Sequence, residues 1–317
     1  MNSTLTKENA IVKRYQGNPI LTKDDVPYPV ATVHNAGVTK HNGRYVMLFR
    51  SHQLNGRSLI GRAVSEDGYS FVVDPKPFLV PAKDGIFAEY EEFGVEDLRI
   101  NPCEGEYLLT YSAYSRHGVR IGLARTAEFE KIERLAFISQ PDMRNVVIFP
   151  KRFGGRYVRL DRPHSEISSW AIHISFSPDL IHWGDSRVVM KGLQYHWDEM
   201  KIGPGAPPFE TKSGWLHIYH GVFETMAGAV YRLGVALHAL DDPTRIIGVS
   251  DDWILEPVDP WERVGYVPNA IFSCGAVPED DGTVKIYWGA ADTVMCVGVA
   301  SVQKLIDLCT TSPREPF

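Results

Sequence analysis

The sequence predicts an all-β protein, a five-bladed β-propeller in a single domain, and two repeated patterns carry this prediction. The first pattern is a glycine followed by an aromatic or apolar strand, and it occurs five times, beginning at Gly43, Gly105, Gly155, Gly214 and Gly282. The second is a strand of small and apolar residues that follows each of these after a loop, as in residues 59–65 and 121–126. Alternation within each copy indicates strands, and a period of about 50 to 70 residues containing several short strands is typical of a propeller blade.

The order of these elements gives the expected domain organisation. At 317 residues, with 44% hydrophobic and 23% charged residues, the chain is long enough for one large domain, and no linker divides it. We expect an N-terminal extension over residues 1–30, blades over approximately 31–82, 90–140, 144–192, 200–258 and 267–306, and a short C-terminal extension. Residues 17–21 form a candidate strand that closes the ring against the last blade, and only residues 303–309 have a helical pattern.

Composition and charge restrict the function classes. A net charge of −6 argues against a nucleic-acid partner or an anionic membrane, since either would favour a basic face. The first residues lack the apolar core of a signal peptide, and no segment approaches transmembrane length, so we expect a soluble cytoplasmic protein. The oligomeric state stays open, a homo-oligomer included.

Cysteine and histidine spacing gives no sign of a metal site. The four cysteines have neither Cys-x-x-Cys nor ligand spacing, and we expect buried thiols. The spacing of His34, His164 and His196 matches no common site, so no catalytic metal is expected.

Polar side chains stand at the start of the first strand of each predicted blade. Equivalent positions in the blades of a propeller point at one axis, where a ligand would bind. The first strands place Asn35, Glu96, Asp97, Arg144, Asn145 and Lys201 there, and the ends of the second strands add Arg50, Tyr111, Arg162, His220 and Asp292. An unrelated solvated surface would not repeat polar residues at the blade period.

The charges of this set favour an anionic ligand. Arg144, Arg162 and Lys201 would repel one another near one axis, and a bound phosphate would explain them, because guanidinium groups match phosphate oxygens bidentately. The structural alternative is that the arginines pair with acidic residues close in sequence, namely Asp161, Glu166 and Glu199.

The chain resembles glycoside hydrolase family 130, the β-mannoside phosphorylases and related mannosidases, in motifs that occur in order over roughly residues 17–306. They include Gly94-Val-Glu-Asp97, Arg144-Asn145, Leu160-Asp-Arg162-Pro163, Lys201-Ile-Gly-Pro-Gly205, Tyr219-His-Gly221 and Gly289-Ala-Ala-Asp292. The resemblance implies a five-bladed propeller in which Asp97 is the general acid. It further implies that Arg144, Asn145, Arg162 and Lys201 hold phosphate, joined by His220, and that Asn35, Arg50, Lys201 and Asp292 contact the mannosyl unit. Glu96 and Tyr111 are assigned to the sugar side because they neighbour these residues.

The expected activity is therefore inverting phosphorolysis of β-1,4- or β-1,2-linked mannosides to α-D-mannose 1-phosphate, with phosphate as co-substrate and no cofactor. A phosphorylase needs only an acid, whereas an inverting hydrolase also needs a carboxylate base, for which Glu96, Glu199 or Asp292 would be the candidates. A hydrolase on the same scaffold and a non-catalytic carbohydrate-binding propeller remain as alternatives.

Overall fold

The structure is a computed structural model that describes residues 10–167 and 170–317. Strand β1 (Lys13–Arg14) comes first in the chain, and the strands that follow form five antiparallel groups in sequence order. Groups 1 and 2 are joined into one sheet by a single parallel pair, Ser58 with Gly94. The all-β class predicted from the sequence is confirmed.

The first two groups each have four strands in up-and-down order. Group 1 consists of β2 (His34–His41), β3 (Arg44–His52), β4 (Ser58–Ser65) and β5 (Val72–Val73). Group 2 consists of β6 (Gly94–Cys103), β7 (Glu106–Ser115), β8 (Gly118–Thr126) and β9 (Glu133–Phe137).

The remaining groups follow the same plan. Group 3 consists of β10 (Met143–Ile148), β11 (Tyr157–Pro163), β12 (Ile172–Ser177) and β13 (Gly184–Met190). Group 4 consists of β14 (Lys201–Pro204), β15 (Phe209–Thr211), β16 (Gly214–Thr225), β17 (Gly228–His238) and β18 (Ile246–Ser250). Group 5 consists of β19 (Ile271–Pro278), β20 (Thr283–Ala290) and β21 (Val294–Ser301), and β22 (Pro313–Arg314) returns to pair with β18.

The N-terminal segment forms the outer edge of group 5. Strand β1 pairs with β21, four residues before the strand that we expected at 17–21. Within 17–21, Leu21 makes one bridge to Met295, and the Asn18 amide both donates to and accepts from the backbone of Val297 at 2.9 Å. Residues 1–9 of the expected extension lie outside the described residues.

The recurring glycines lie in tight turns between the strands of a hairpin. Asn42 and Gly43 have φ values of 49° and 80°, and Glu104 and Gly105 have 50° and 87°. Two consecutive positive φ values are typical of the type I′ turn, whose twist matches that of the flanking strands. In these two hairpins the glycine before the second strand is therefore a requirement of the turn.

A second glycine recurs in the third strands and accommodates an aromatic ring from the second. In groups 1, 2 and 4 the cross-strand pairs are Phe49 with Gly61, Tyr111 with Gly122 and Tyr219 with Gly234. A Cβ atom on these glycines would lie 2.2, 2.3 and 2.6 Å from the ring, so no larger residue fits without displacing it. This pairing fixes the aromatic rings in the interior.

Five hydrophobic clusters connect the groups in a closed cycle. They lie between groups 1 and 2 (Leu48, Leu109), 2 and 3 (Ile121, Ile148), 3 and 4 (Leu160, Trp215), 4 and 5 (Ile218, Ile286), and 5 and 1 (Tyr287, Met47). Burial of apolar surface between neighbouring groups is the main stabilising contribution to such an arrangement.

Three short α-helices occur within the described residues, α1 (Gly85–Tyr90), α2 (Pro260–Arg263) and α3 (Val302–Thr310), together with a 3₁₀-helix at Lys23–Asp25. Helix α3 confirms the helical pattern at 303–309, but the expectation that this was the only helical segment is wrong. For α2 the sequence held a signal, since Asp259 and Glu262 form a capping box around Pro260 at the first helical position.

All four cysteines are buried free thiols, as expected. Among the described residues, no helix has the length and apolar character needed to cross a membrane.

Candidate active site

Three first strands share a local irregularity that presents a polar side chain. Strands β2, β6 and β10 each shift register against their second strand, and the bulged residues are Asn35 (φ 48°), Asp97 (φ 50°) and Asn145 (φ 60°). Asn and Asp are among the few non-glycine residues that tolerate this left-handed conformation. A bulge turns a side chain away from the direction that strand alternation would give it. The side chains of all three bulged residues therefore reach one cavity.

The cavity has a volume of about 290 Å³. Its lining combines four cations, two carboxylates, two amides and five aromatic or apolar residues: Asn35, Arg50, Asp97, Arg144, Asn145, Arg162, Trp170, Lys201, Tyr231, Val267, Ala270, Phe272 and Asp292. Eight of the site residues expected from the sequence are in this set, and Glu96, Tyr111 and His220 are not.

One wall of the cavity is built around Asp97. Its Oδ1 atom accepts hydrogen bonds from Asn35 Nδ2 at 2.9 Å and from Arg50 Nη1 at 3.0 Å. Asp292, at the end of β20, lies close enough to interact with both Asn35 and Arg50. This wall therefore holds two carboxylates around one guanidinium and one amide.

A second part of the lining, the cationic wall, consists of Arg144, Arg162 and Lys201. Arg162 and Lys201 lie over the Trp170 ring, 5.0 and 4.9 Å from its centroid, and Lys201 also lies 5.2 Å from that of Tyr231. Arg144 makes one ion pair, with Glu96 at 3.3 Å. Within residues 10–167 and 170–317, neither Arg162 nor Lys201 has a carboxylate oxygen within 4.0 Å.

The alternative that these cations pair with acidic residues close in sequence therefore does not hold for Arg162 and Lys201. Asp161 instead accepts from Arg159 at 2.7 Å, and Glu199 accepts from the backbone N–H of Tyr195 at 2.9 Å. The four cations and two carboxylates of the lining leave an excess of two positive charges in the cavity. A doubly charged anion would balance this excess.

The chain is similar to proteins of one known family. Residues 6–311 match the family model Glyco_hydro_130, which is described as β-1,4-mannooligosaccharide phosphorylase. The chain belongs to glycoside hydrolase family 130.

Relatives within family 130 are similar over nearly their whole length. The chain is 33% identical to a 1,2-β-oligomannan phosphorylase of Thermoanaerobacter sp. (strain X514), covering 93% of this chain and 98% of that one. It is 30% identical to a β-1,4-mannooligosaccharide phosphorylase of Ruminococcus albus, covering 94% and 90%. The structure of the β-1,2-mannobiose phosphorylase of Listeria innocua in complex with β-1,2-mannobiose superimposes with a TM-score of 0.87 at 30% identity, covering 95% of this chain and 99% of that one.

The two carboxylates of this family 130 site differ in proton affinity. Although burial opposes ionisation of Asp97, the Arg50 and Arg99 guanidinium groups and the Asn35 amide hold its pKa below the usual range. Burial raises the pKa of Asp292 to about 6, and the nearby charges of Asp97 and Glu96 add to this shift. In the free protein at neutral pH, Asp97 is therefore ionised.

The neighbouring positive charges change the proton affinity of Arg162. Burial, together with the neighbouring Arg144, lowers the pKa of Arg162 to about 9. The guanidinium stays charged at neutral pH, but at a cost that a bound anion would relieve.

His220 lies beneath the cavity instead of at its surface. It is fully buried, and its Nε2 atom is 3.1 Å from Arg162 Nη1 and 3.4 Å from Asn145 Nδ2. Arginine can only donate, so Nε2 accepts and the neutral ring carries its proton on Nδ1. His220 therefore contacts two residues that line the cavity, and its expected contact with phosphate stays a prediction. Gly203 makes room for it, since a Cβ there would lie 2.6 Å from the ring.

Glu96 and Tyr111, which were assigned to the sugar, also lie outside the lining. Glu96 Oε1 accepts from Arg50 Nη2 at 2.7 Å and from Ser58 Oγ at 3.1 Å, so it holds the lining residue Arg50 from behind. The Tyr111 hydroxyl donates to Glu91 at 2.7 Å, and its ring packs over Gly122 in the core. Strand alternation turns Tyr111 away from the cavity, and the recurring glycine of the third strands could have revealed this.

Sequence reasoning missed the aromatic part of the lining. Trp170 comes from the loop between β11 and β12, Tyr231 from β17 and Phe272 from β19. Trp170 and Tyr231 lie outside the first strands, so the repeat gave no signal for them. Phe272 is the second residue of the first strand β19, but the repeat was used there to find polar residues, and this position is aromatic.

Proposed function

We propose that this chain is an inverting β-mannoside phosphorylase, which transfers a mannosyl unit from a β-linked mannoside to phosphate and releases α-D-mannose 1-phosphate. The observation that carries the proposal is the division of the cavity. The wall around Asp97 holds a hydrogen-bonded carboxylate, and the cationic wall holds Arg162 and Lys201 without carboxylate partners among the described residues. The named activities of the relatives, all phosphorylases of β-mannosides, support it.

This division favours phosphorolysis over hydrolysis. An inverting hydrolase needs a carboxylate base that activates water on the face of the sugar opposite the acid, about 6.5–9.5 Å from it. Of the expected base candidates, Glu96 is held by two arginines, Glu199 does not line the cavity, and Asp292 is on the same wall as Asp97. Phosphate needs positioning and no deprotonation, and the cationic wall supplies that.

The reaction balances with Asp97 as the acid. A phosphate oxygen forms a bond to the anomeric carbon from the face opposite the leaving group while the glycosidic C–O bond breaks. Asp97 gives its proton to the departing oxygen, and the proton of the attacking hydrogen phosphate then restores Asp97. The net result is one mannosyl phosphate and one free acceptor hydroxyl.

The depressed pKa of Asp97 in the free protein gives phosphate a second role. Arg144 is among the charges that keep Asp97 ionised, and it also lines the proposed phosphate position. A dianion that neutralises this charge raises the proton affinity of Asp97. Phosphate binding would thus bring the acid into its working protonation state.

On the sugar side, we assign Asn35, Arg50 and Asp292 to the mannosyl unit, with Lys201 reaching it from the phosphate side. The proposed substrate is a β-1,2- or a β-1,4-linked mannoside, because relatives with either named activity match the chain similarly well. Phosphate is the co-substrate, and no further cofactor is proposed.

We also propose that the five strand groups are the blades of a single-domain, five-bladed propeller. Two observations support this: the hydrophobic clusters connect group 5 back to group 1, and bulged first strands from groups 1, 2 and 3 line one cavity. The cytoplasmic location and a homo-oligomeric state stay predictions.

The test is incubation of the purified protein with β-1,4-mannobiose, β-1,2-mannobiose and mannosyl-glucose, with and without phosphate, following α-mannose 1-phosphate and free mannose. Phosphate-dependent release of the α-anomer is expected on at least one disaccharide. Release of free mannose at the same rate in both conditions would contradict the phosphorylase and favour the hydrolase.

A matched pair of lysine variants sharpens this test. Lys201→Met should raise the KM for phosphate by about tenfold to a hundredfold, since it removes one charge-assisted contact. Lys212→Met, at an exposed lysine between β15 and β16, should leave it unchanged. Equal KM values for phosphate in the two variants would remove Lys201 from the phosphate site.

A further inference from the structure

Arg99 lies directly behind the cavity, where three strand groups meet. It is on β6, two residues after Asp97, and 1% exposed. Its Nη1 donates to the Asp97 backbone carbonyl at 2.6 Å, its Nε to the Gly205 carbonyl at 3.3 Å and its Nη2 to Asn145 Oδ1 at 3.1 Å. One guanidinium therefore ties together groups 2, 3 and 4 at the site.

Among the described residues, the Arg99 guanidinium forms no direct ion pair, and the Asp97 carboxylate acts on it only from a longer distance. Within the described ranges no carboxylate oxygen lies within 4.0 Å of it, and its surroundings are carbonyl oxygens, one amide and the face of Phe272 at 5.4 Å. Arg159, which is 3% exposed, shows the usual arrangement, because Asp161 accepts from it at 2.7 Å. A buried charge without a directly bound counter-ion is costly, so its retention here needs an explanation.

The contact with Asn145 fixes the direction of that side chain. A guanidinium group only donates, so the Asn145 oxygen must face Arg99 and the Nδ2 donor must face the other way. Nδ2 is then directed toward His220 Nε2, at 3.4 Å, and the cationic wall of the cavity. With the opposite amide orientation, Asn145 would present an acceptor to an anion.

We propose that Arg99 is a positioning residue for the phosphate co-substrate: it holds the Asn145 amide with its donor toward the anion and supplies a permanent positive charge beneath it. This rests on the proposed function only in naming phosphate as the anion. The missing carboxylate partner is then the ligand itself, which arrives with each turnover.

The experiment is a double-mutant cycle on phosphate affinity, measured by calorimetry with inorganic phosphate alone, so that it does not require turnover. The variants are Arg99→Lys, Asn145→Ala and the two combined, with Arg159→Lys as the control for altering a buried arginine elsewhere. Arg99→Lys keeps the charge but loses the fork that holds Asn145. We expect phosphate binding about tenfold weaker in Arg99→Lys, unchanged in Arg159→Lys, and no weaker in the combined variant than in Asn145→Ala.

Arg99→Met tests the charge separately. Arg99→Met should weaken phosphate binding more than Arg99→Lys does. This holds with either asparagine or alanine at position 145, because Arg99→Met removes the positive charge in both backgrounds. In steady-state kinetics the KM for phosphate should rise much more than the KM for the mannoside, which a general loosening of the fold would not produce.

The inference would be overturned if Arg99→Lys bound phosphate as tightly as the wild type. It would also be overturned if Arg99→Lys weakened phosphate binding by the same factor with and without the Asn145→Ala substitution. If Arg99→Met does not fold, the Arg99→Lys cycle still decides. If the wild-type protein binds phosphate but releases no mannose 1-phosphate, the proposed function fails while the role of Arg99 is still tested by the binding data.

Discussion

Two kinds of buried ionic cluster occur in this protein, and they differ in whether their charges are balanced. On the outer side of group 2, Glu91 is fully buried and accepts from Arg134 Nε at 3.0 Å, Arg134 Nη2 at 2.8 Å and Tyr111 at 2.7 Å. The backbone N–H of Ala82 donates to it as well, at 2.8 Å. This cluster supplies its own counter-charge and satisfies the acceptor positions of the carboxylate.

A second balanced cluster ties the C-terminal segment to group 4. Asp198 is fully buried and accepts from Arg314 at 2.7 Å and from the Tyr219 hydroxyl at 3.2 Å. His196 Nδ1 is a further partner at 2.7 Å. Both clusters connect segments distant in sequence, which is what a structural ion pair does.

The cavity is the contrasting case, because the cations of its lining outnumber the carboxylates by two, and Arg99 behind it has no carboxylate oxygen within 4.0 Å among the described residues. Balanced clusters need nothing from outside, whereas the unbalanced one is complete only with an anion. The difference teaches that missing counter-charge, and not the presence of charge, separates the candidate active site from structural ion pairs in this fold.

The largest expected effect is at Asp97. Asp97→Asn should lower kcat by about a thousandfold, since it removes the general acid, while phosphate binding is retained or strengthened because a negative charge leaves the cavity. Turnover and phosphate affinity are measured on the same preparation. Normal turnover would remove Asp97 from the mechanism, and lost phosphate binding would show that Asp97 is structural.

The second-largest effect is expected in a balanced cluster, where a substitution should change stability and not phosphate binding. Glu91→Gln should destabilise the protein by about 2 kcal/mol, because it leaves the partly buried Arg134 without its counter-charge. The free energy of unfolding comes from urea denaturation. The KM for phosphate should not change, and a substantial rise would contradict the separation of the two clusters.

A smaller effect is expected at Asp292 and depends on pH. Its pKa of about 6 lies above the ordinary value of 3.8, so its folded-state carboxyl holds a proton that the unfolded chain loses. The resulting stability is present below about pH 4 and is lost as pH rises toward 6 and above.

Asp292→Asn should therefore be more stable than wild type at pH 7.5 by about 1 kcal/mol, allowing for partial exposure, and show little difference near pH 3.5. Thermal unfolding at the two pH values measures this. Mannoside turnover should fall at the same time, because the proposed sugar contact is lost. A variant less stable than wild type at pH 7.5 would contradict the sign.

The smallest effect is expected at Tyr111. Tyr111→Phe keeps the ring over Gly122 and removes one hydrogen bond to Glu91, so stability should fall by about 1 kcal/mol with kcat and both KM values unchanged. Denaturant unfolding and steady-state kinetics are the measurements. A rise in the KM for the mannoside would restore Tyr111 to the sugar side.

The positions at the start of the first strands were predictable because the repeat places equivalent residues at equivalent points. Asn35, Asp97 and Asn145 line one cavity for this reason. Tyr111 could have been excluded by the same repeat, since it aligns with Phe49 and Tyr219, which also pack over a glycine. Trp170 could not be predicted, because the course of the loop that carries it has no periodic signal.

The sequence by itself determined the strand repeat, the turns and the residues that carry charge toward the axis, because alternation, glycine and short polar side chains act over a few neighbouring residues. Only the tertiary structure decided which charges are compensated. Asp161 is next to Arg162 in the chain but pairs with Arg159, and Arg99 is two residues from Asp97 but binds its backbone carbonyl and not its carboxylate. Side-chain direction on a bulged strand depends on the packing of neighbouring groups, so no local pattern could assign these partners.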